Sequence, residues 1–139
     1  MDLFALFTLA AAGFCGATIG SFLLVTLLYK ALLKNPTNLN DSLYIYRRLY
    51  RLNSGLCLSG GICAALVNKQ SAALMMAILA ASYVFNHAHI LKGLASTCND
   101  KYQLINQATY KSLSSLQNLM HIAQFFGAAY AIYLLAQAQ

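Results

Sequence analysis

The sequence predicts an all-α fold, a four-helix transmembrane bundle with both termini on the non-cytoplasmic side. Three observations predict it. Of the 139 residues 60% are hydrophobic and 9% are charged, and the mean hydropathy is +0.59. The apolar residues fall into long runs. The basic residues gather at one set of run ends. Soluble domains carry roughly 25% charged residues, and a chain this short keeps a large wetted surface, so a surface this apolar belongs against lipid. A single integral membrane domain over 1–139 is the natural count.

Helix one is expected over 3–34. No charge occurs between Leu3 and Tyr29, a run too long for a signal-peptide core and suited to a spanning helix. Gly13, Gly16 and Gly20, with Ala12, Ala17 and Ser21, form a small-residue face that allows close helix approach. It is read as internal packing, with a homo-oligomer contact as the alternative. Asn35-Pro36 ends the helix, because the residue before proline avoids helical backbone.

Helix two is expected over 41–67. Its first turns interleave Tyr44, Tyr46 and Tyr50 with Arg47, Arg48 and Arg51. Tyrosine suits the headgroup level and arginine reaches phosphates by snorkelling, so these six are read as lipid-interface residues. The net charge of +6 does not indicate nucleic acid, because this basic stretch runs straight into membrane sequence. The apolar part, Leu52 to Val67, is rich in Gly, Ala and Ser. It is expected in the centre of the bundle or against helix one rather than facing lipid.

Asn68-Lys69-Gln70 reads as a tight hairpin, and helix three comes next over 71–95. Helix four is expected over 100–136, with Asp100 as N-cap, Gln103 completing a capping box, and an interfacial first section to Lys111. Lys30, Lys34, Arg47, Arg48, Arg51, Lys92, Lys101 and Lys111 flank two connections, against Lys69 alone at the hairpin. The positive-inside rule then places those two connections in the cytoplasm. The chain is expected in a bacterial inner membrane or an organellar membrane.

The last run, Ser112 to Leu135, carries a polar stripe. Ser114, Gln117, Asn118, His121 and Gln124 recur at three- and four-residue steps, opposite Leu113, Leu116, Leu119, Ile122, Phe126 and Ala129. Hydrocarbon cannot satisfy amides and an imidazole, so the stripe is expected to turn inward. With Asn86 it forms an intramembrane polar cluster of Asn86, Gln117, Asn118, His121 and Gln124. Such amides fix helix register or line a small polar path.

Catalytic constellations are sparse. The three acids, Asp2, Asp41 and Asp100, all fall at expected helix ends, and glutamate is absent. Paired-acid chemistry and a Ser-His-Asp triad are therefore excluded. The four cysteines form no CxxC, and those at 15, 57 and 63 sit in apolar runs as packing groups. His87, His89 and His121 are the possible ligands for haem b or copper. Depth opposes that set: His121 lies ten residues past Lys111, roughly 15 Å at 1.5 Å per residue. His87 and His89 stand close to the end at Lys92.

Asp100-Lys101-Tyr102, a spacer, and then the run Ser112-Leu113-Ser114-Ser115-Leu116-Gln117-Asn118-Leu119 resembles the last helix of the transmembrane protein 205-like family. The basic-aromatic stretch Tyr46 to Leu52 is similar to that family's entry into helix two. Lys111 and Ser112 stand where the family has a histidine, and Leu49-Tyr50 replaces its Phe-Pro. The resemblance implies a four-span membrane domain with no established catalytic activity. The expected function is therefore non-catalytic: helix–helix contacts, as an accessory subunit of a membrane complex, with no cofactor. The alternative is a ligand-handling protein that binds haem b, copper or a small amphiphile between helices three and four.

Overall fold

A computed structural model of the chain describes residues 2–32, 39–98 and 105–137, without the side chains of 28–32 and 39–42. Over these residues the fold is all-helical, with α1 at Leu3–Leu32, α2 at Leu39–Leu66, α3 at Gln70–Ser96 and α4 at Gln107–Ala136. α1 packs on α2 and α4, and α3 packs on the same two, so the four helices surround a shared interior. Three segments are long and apolar enough to cross a membrane: Leu3–Leu27, Gln70–Ser96 and Gln107–Ala136.

The hairpin between α2 and α3 forms where expected. Asn68 takes a left-handed backbone, φ 60°, a conformation asparagine tolerates better than most residues. The Asn68 N–H donates to Ala65 O at 3.0 Å, and the Lys69 N–H to Ala64 O at 2.9 Å. These paired bonds satisfy the last carbonyls of α2. The Lys69 ammonium donates to the Gln137 carbonyl, tying the hairpin to the end of α4.

The start of α4 differs from expectation. Helix begins at Gln107, not near 100, and the cap is Asn106, whose Oδ1 accepts from Thr109 N–H at 3.2 Å. The Ile105 and Asn106 N–H groups both donate to Thr97 O, at 2.8 and 3.2 Å. That pin to the end of α3 occupies backbone that a longer helix would use. The expected Asp100 cap and Gln103 box lie outside the described residues, as do Pro36 and its turn.

α3 contains one wider turn. Over Asn86–Ile90 the backbone takes a π-helical path inside the α-helix. A π turn holds an extra residue and so shifts the phase of the helix beyond it. Buried positions still run without a break through Tyr83, Asn86, Ile90 and Leu94.

α1 and α2 present different faces from those expected. The inner edge of α1 is Ala11, Cys15 and Thr18. Gly13, Gly16 and Gly20 are exposed, and a Cβ on any of them would meet nothing within 4 Å. The expected internal packing through these glycines is thus corrected: they lie around the helix from the buried edge. α2 buries Asn53, Cys57, Gly60 and Ala64, and Val67 just past its end is buried as well. Gly60 makes the closest approach, since a Cβ there would collide with Met76 Cε and stand 3.1 Å from Phe14 Cβ. The opposite edge of α2 is not central: Leu52, Leu58, Ile62 and Leu66 are all exposed. Leu9, Leu24, Leu74, Ile78, Leu119, Ile122 and Phe126 extend this apolar outer surface over the other helices.

Candidate functional site

The interior between the helices is polar along part of its length. α4 contributes Gln117, His121 and Gln124, at steps of four and three residues, all buried. These three helix positions share one face. α2 contributes Tyr50 and Asn53, α3 contributes Ser82, Tyr83 and Asn86, and α1 contributes Thr18 and Ser21.

The first group is centred on Tyr50, which is 0% exposed. Gln117 Nε2 donates to Tyr50 Oη at 2.7 Å. The phenol hydrogen is then free to point at His121 Nε2, 2.6 Å away. In this assignment the imidazole accepts at Nε2 and carries its hydrogen on Nδ1. Aromatic rings enclose the imidazole. Phe22 meets it edge-on at 4.9 Å between centroids, and Tyr46 stacks on it at 5.5 Å.

The second group joins α3 and α4. Gln124 Nε2 donates to Ser82 Oγ at 2.9 Å, and Ser82 Oγ donates to Leu79 O at 2.6 Å. Asn86 Nδ2 donates to Gln124 Oε1 at 3.4 Å, while Asn86 Oδ1 is buried with no hydrogen-bond partner. The third group joins α1 and α2. Ser21 Oγ donates to Asn53 Oδ1 at 2.7 Å, and the Thr18 hydroxyl lies 3.7 Å from Cys57 Sγ. Asn53 Nδ2 is buried and unpartnered.

Four of the five residues expected in the cluster are inside: Asn86, Gln117, His121 and Gln124. Asn118 is the correction. It is exposed, because one residue advances about 100° around an α-helix and Gln117 takes the inward position. Ser114 is half-buried.

Tyr50 is the second correction. Expected at the lipid interface, it stands instead at the centre of the first group. Tyr46 is half-buried against the same imidazole. Tyr44, Arg47, Arg48 and Arg51 are exposed, with the Arg48 guanidinium 4.7 Å above the Tyr44 ring. The signal for Tyr50 is present in the sequence. Tyr50, Asn53, Cys57, Gly60 and Ala64 recur at helical steps of three and four, so Tyr50 continues the face of the small residues.

The three histidines have separate surroundings. His121 is buried with Tyr50. His87 Nε2 accepts from Arg51 Nε at 3.2 Å, at the surface between α3 and α2. His89 is exposed and its ring lies 5.0 Å from Phe85. Among the described residues no three His, Cys, Asp or Glu side chains converge as a metal-binding group. All four cysteines are free thiols.

Chemically, the centre offers amide, phenol and imidazole groups held in hydrogen-bonded groups. They link α2 to α4 through Tyr50, α3 to α4 through Gln124, and α1 to α2 through Asn53. Compared with family models, with curated proteins and with solved structures, the chain matches none.

Proposed function

We propose that the protein is a multi-pass integral membrane protein of four spans, with both termini on the non-cytoplasmic side. It acts without catalysis, through helix contacts, as an accessory subunit of a membrane complex. The observation that supports this most directly is the division between an apolar outer surface on all four helices and amides and an imidazole turned inward. That is the arrangement hydrocarbon demands. α2, the least apolar helix, spans with the other three because its polar positions beyond Arg51 reduce to the buried Asn53 and the half-buried Ser54 and Ser59. The open face at Gly13, Gly16 and Gly20 suits contact with a helix of another subunit or of a second copy. Kinship with the transmembrane protein 205-like family is part of the same proposal.

Purification in mild detergent tests it. A partner retained in fixed ratio is the expected result; a lone monomer defeats the subunit reading. Cysteine labelling at Lys69 and at both termini tests the topology, since all three sites must react from the same, non-cytoplasmic side.

A second reading, a ligand held between α3 and α4, is favoured by one observation. Asn86 Oδ1 is buried beside Gln124 with no donor of its own. A small amphiphile with a hydroxyl or amide would supply that donor. Haem b is disfavoured as the occupant, because His121 Nε2 is already engaged by Tyr50 and an axial bond would have to displace it. A visible spectrum of the purified protein decides the haem case through the presence or absence of a Soret band.

A further inference from the structure

We infer that the groove between α2 and α3 beside the hairpin binds one acyl chain of a phospholipid, whose phosphate is held by Lys69. The inference rests on the membrane-spanning reading and goes beyond it by naming an occupant.

Small residues make the groove. Gly61 and Ala65 stand one turn apart on α2, and Ala73 and Ala77 one turn apart on α3. With Leu58 and Ile62 they line a cavity of about 230 Å³. The two helices close up beneath it: a Cβ on Gly61 would stand 3.5 Å from Met76 Cβ and 3.6 Å from Ala73 O. The cavity is therefore a slot in the outer surface. Leu58 and Ile62 are 54% and 63% exposed along it.

The size of the slot selects the occupant. From Leu58 to Ala65 is about 10 Å at 1.5 Å per residue. A volume of about 230 Å³ over that length leaves a cross-section of about 23 Å², or about 5 Å across. An α-helix with its side chains is about 10–12 Å wide. Neither a second copy nor a partner span enters a slot so narrow, whereas a single hydrocarbon chain does. An apolar cavity of about 150 Å³ already takes up benzene, so the volume suffices.

Direction and charge select a phospholipid. Ala65 is the residue before the end of α2 at Leu66, and the Ala73 N–H donates to Lys69 O at 3.0 Å. The slot thus opens at the hairpin and runs inward for about 10 Å. That length lies within one leaflet, about half of the roughly 30 Å hydrocarbon core. Lys69 stands at the mouth, one turn above Ala73. Its ammonium donates to the Gln137 carbonyl, and with three N–H donors it keeps capacity for an anion. Lys69 also lines a polar cavity of about 170 Å³ with Asn68, Gln70 and Ser71, room for a headgroup phosphate. A cation at the boundary above an apolar slot matches the two ends of one lipid.

The test uses the full chain in phosphatidylcholine vesicles containing phosphatidylglycerol with a diazirine on one acyl chain. Irradiation and peptide mapping read where that chain lies. Adducts should concentrate on the α2 and α3 residues of the slot. Ala65→Leu combined with Ala77→Leu fills the slot from two exposed positions and should abolish those adducts while leaving the melting point unchanged. Ala129→Leu, an equal change on the exposed face of α4, should leave them intact. Lys69→Gln should cut them about fivefold, the usual weight of one basic side chain near a charged surface. Adducts spread evenly over all four helices would mean ordinary boundary lipid and overturn the site, as would labelling that survives the slot-filling pair. Slot adducts indifferent to Lys69→Gln would overturn the phosphate assignment. A chain that resists alkaline carbonate extraction yet labels evenly ends this inference alone. A chain released by carbonate ends the membrane reading, and the inference with it.

Discussion

The Tyr50 hydroxyl lies 2.6 Å from His121 Nε2 although 71 residues separate them in the chain. This contact closes α2 onto α4 across the interior, and Gln117 completes it from the side. Removing the hydroxyl would leave an imidazole nitrogen and an amide N–H without partners in a buried site. Tyr50→Phe should therefore destabilise the fold by about 1–2 kcal/mol, near the upper end for interhelical hydrogen bonds in membranes. In a cycle with His121→Leu the two losses should fall short of additivity. Thermal unfolding in detergent, tracked by circular dichroism, measures both.

Gln117 and Asn118 are adjacent and should respond with opposite consequences. Gln117→Leu removes the donor to Tyr50 and should cost about 1 kcal/mol. Asn118→Leu replaces an exposed amide on an apolar outer surface and should leave the melting point unchanged or raise it. Equal losses at both positions would show that Asn118 also faces inward.

Gly60 tests the packing of α2 between its neighbours. A side chain there enters the space of Met76 Cε and approaches Phe14 Cβ. Gly60→Val should cost about 1–3 kcal/mol as overpacking, and Met76→Ala in the same chain should recover part of the loss. Gly55→Ala, where a Cβ meets nothing within 4 Å, should be tolerated and even gain helix propensity. The pair is read by the same unfolding assay.

Gly16→Leu separates folding from assembly. The added side chain points into open space, so the melting point of the monomer should not fall. Crosslinking or energy transfer between labelled copies, and retention of any co-purifying partner, should fall if the glycine face carries a contact. Unchanged association would exclude that face.

Much of this organisation was legible in the sequence because helices with an apolar outer surface leave a simple pattern. Long apolar runs mark the helices, and the three-and-four spacing on α4 identifies Gln117, His121 and Gln124. The hairpin was legible because Asn68 suits a left-handed turn. Other features depend on azimuth, which composition does not report. Gly13, Gly16 and Gly20 look like a packing face, yet α1 packs through Ala11, Cys15 and Thr18. Tyr50 looks interfacial because arginines flank it, yet its register matches Asn53, Cys57 and Gly60. The contact of Ile105 and Asn106 with Thr97 joins two helix ends across a connection, so no local signal marks the late start of α4.

The π turn at Asn86–Ile90 holds one residue more than a regular turn, while the buried edge runs on through Tyr83, Asn86, Ile90 and Leu94. Deleting Ala88 would let the ladder revert to regular α spacing with Leu94 still in the core. The same deletion in a regular turn, at Ile78, would swivel everything downstream by about 100°. The wide turn is therefore a slack link in α3, able to take up a change of chain length that the rest of the helix would pass on as a rotation.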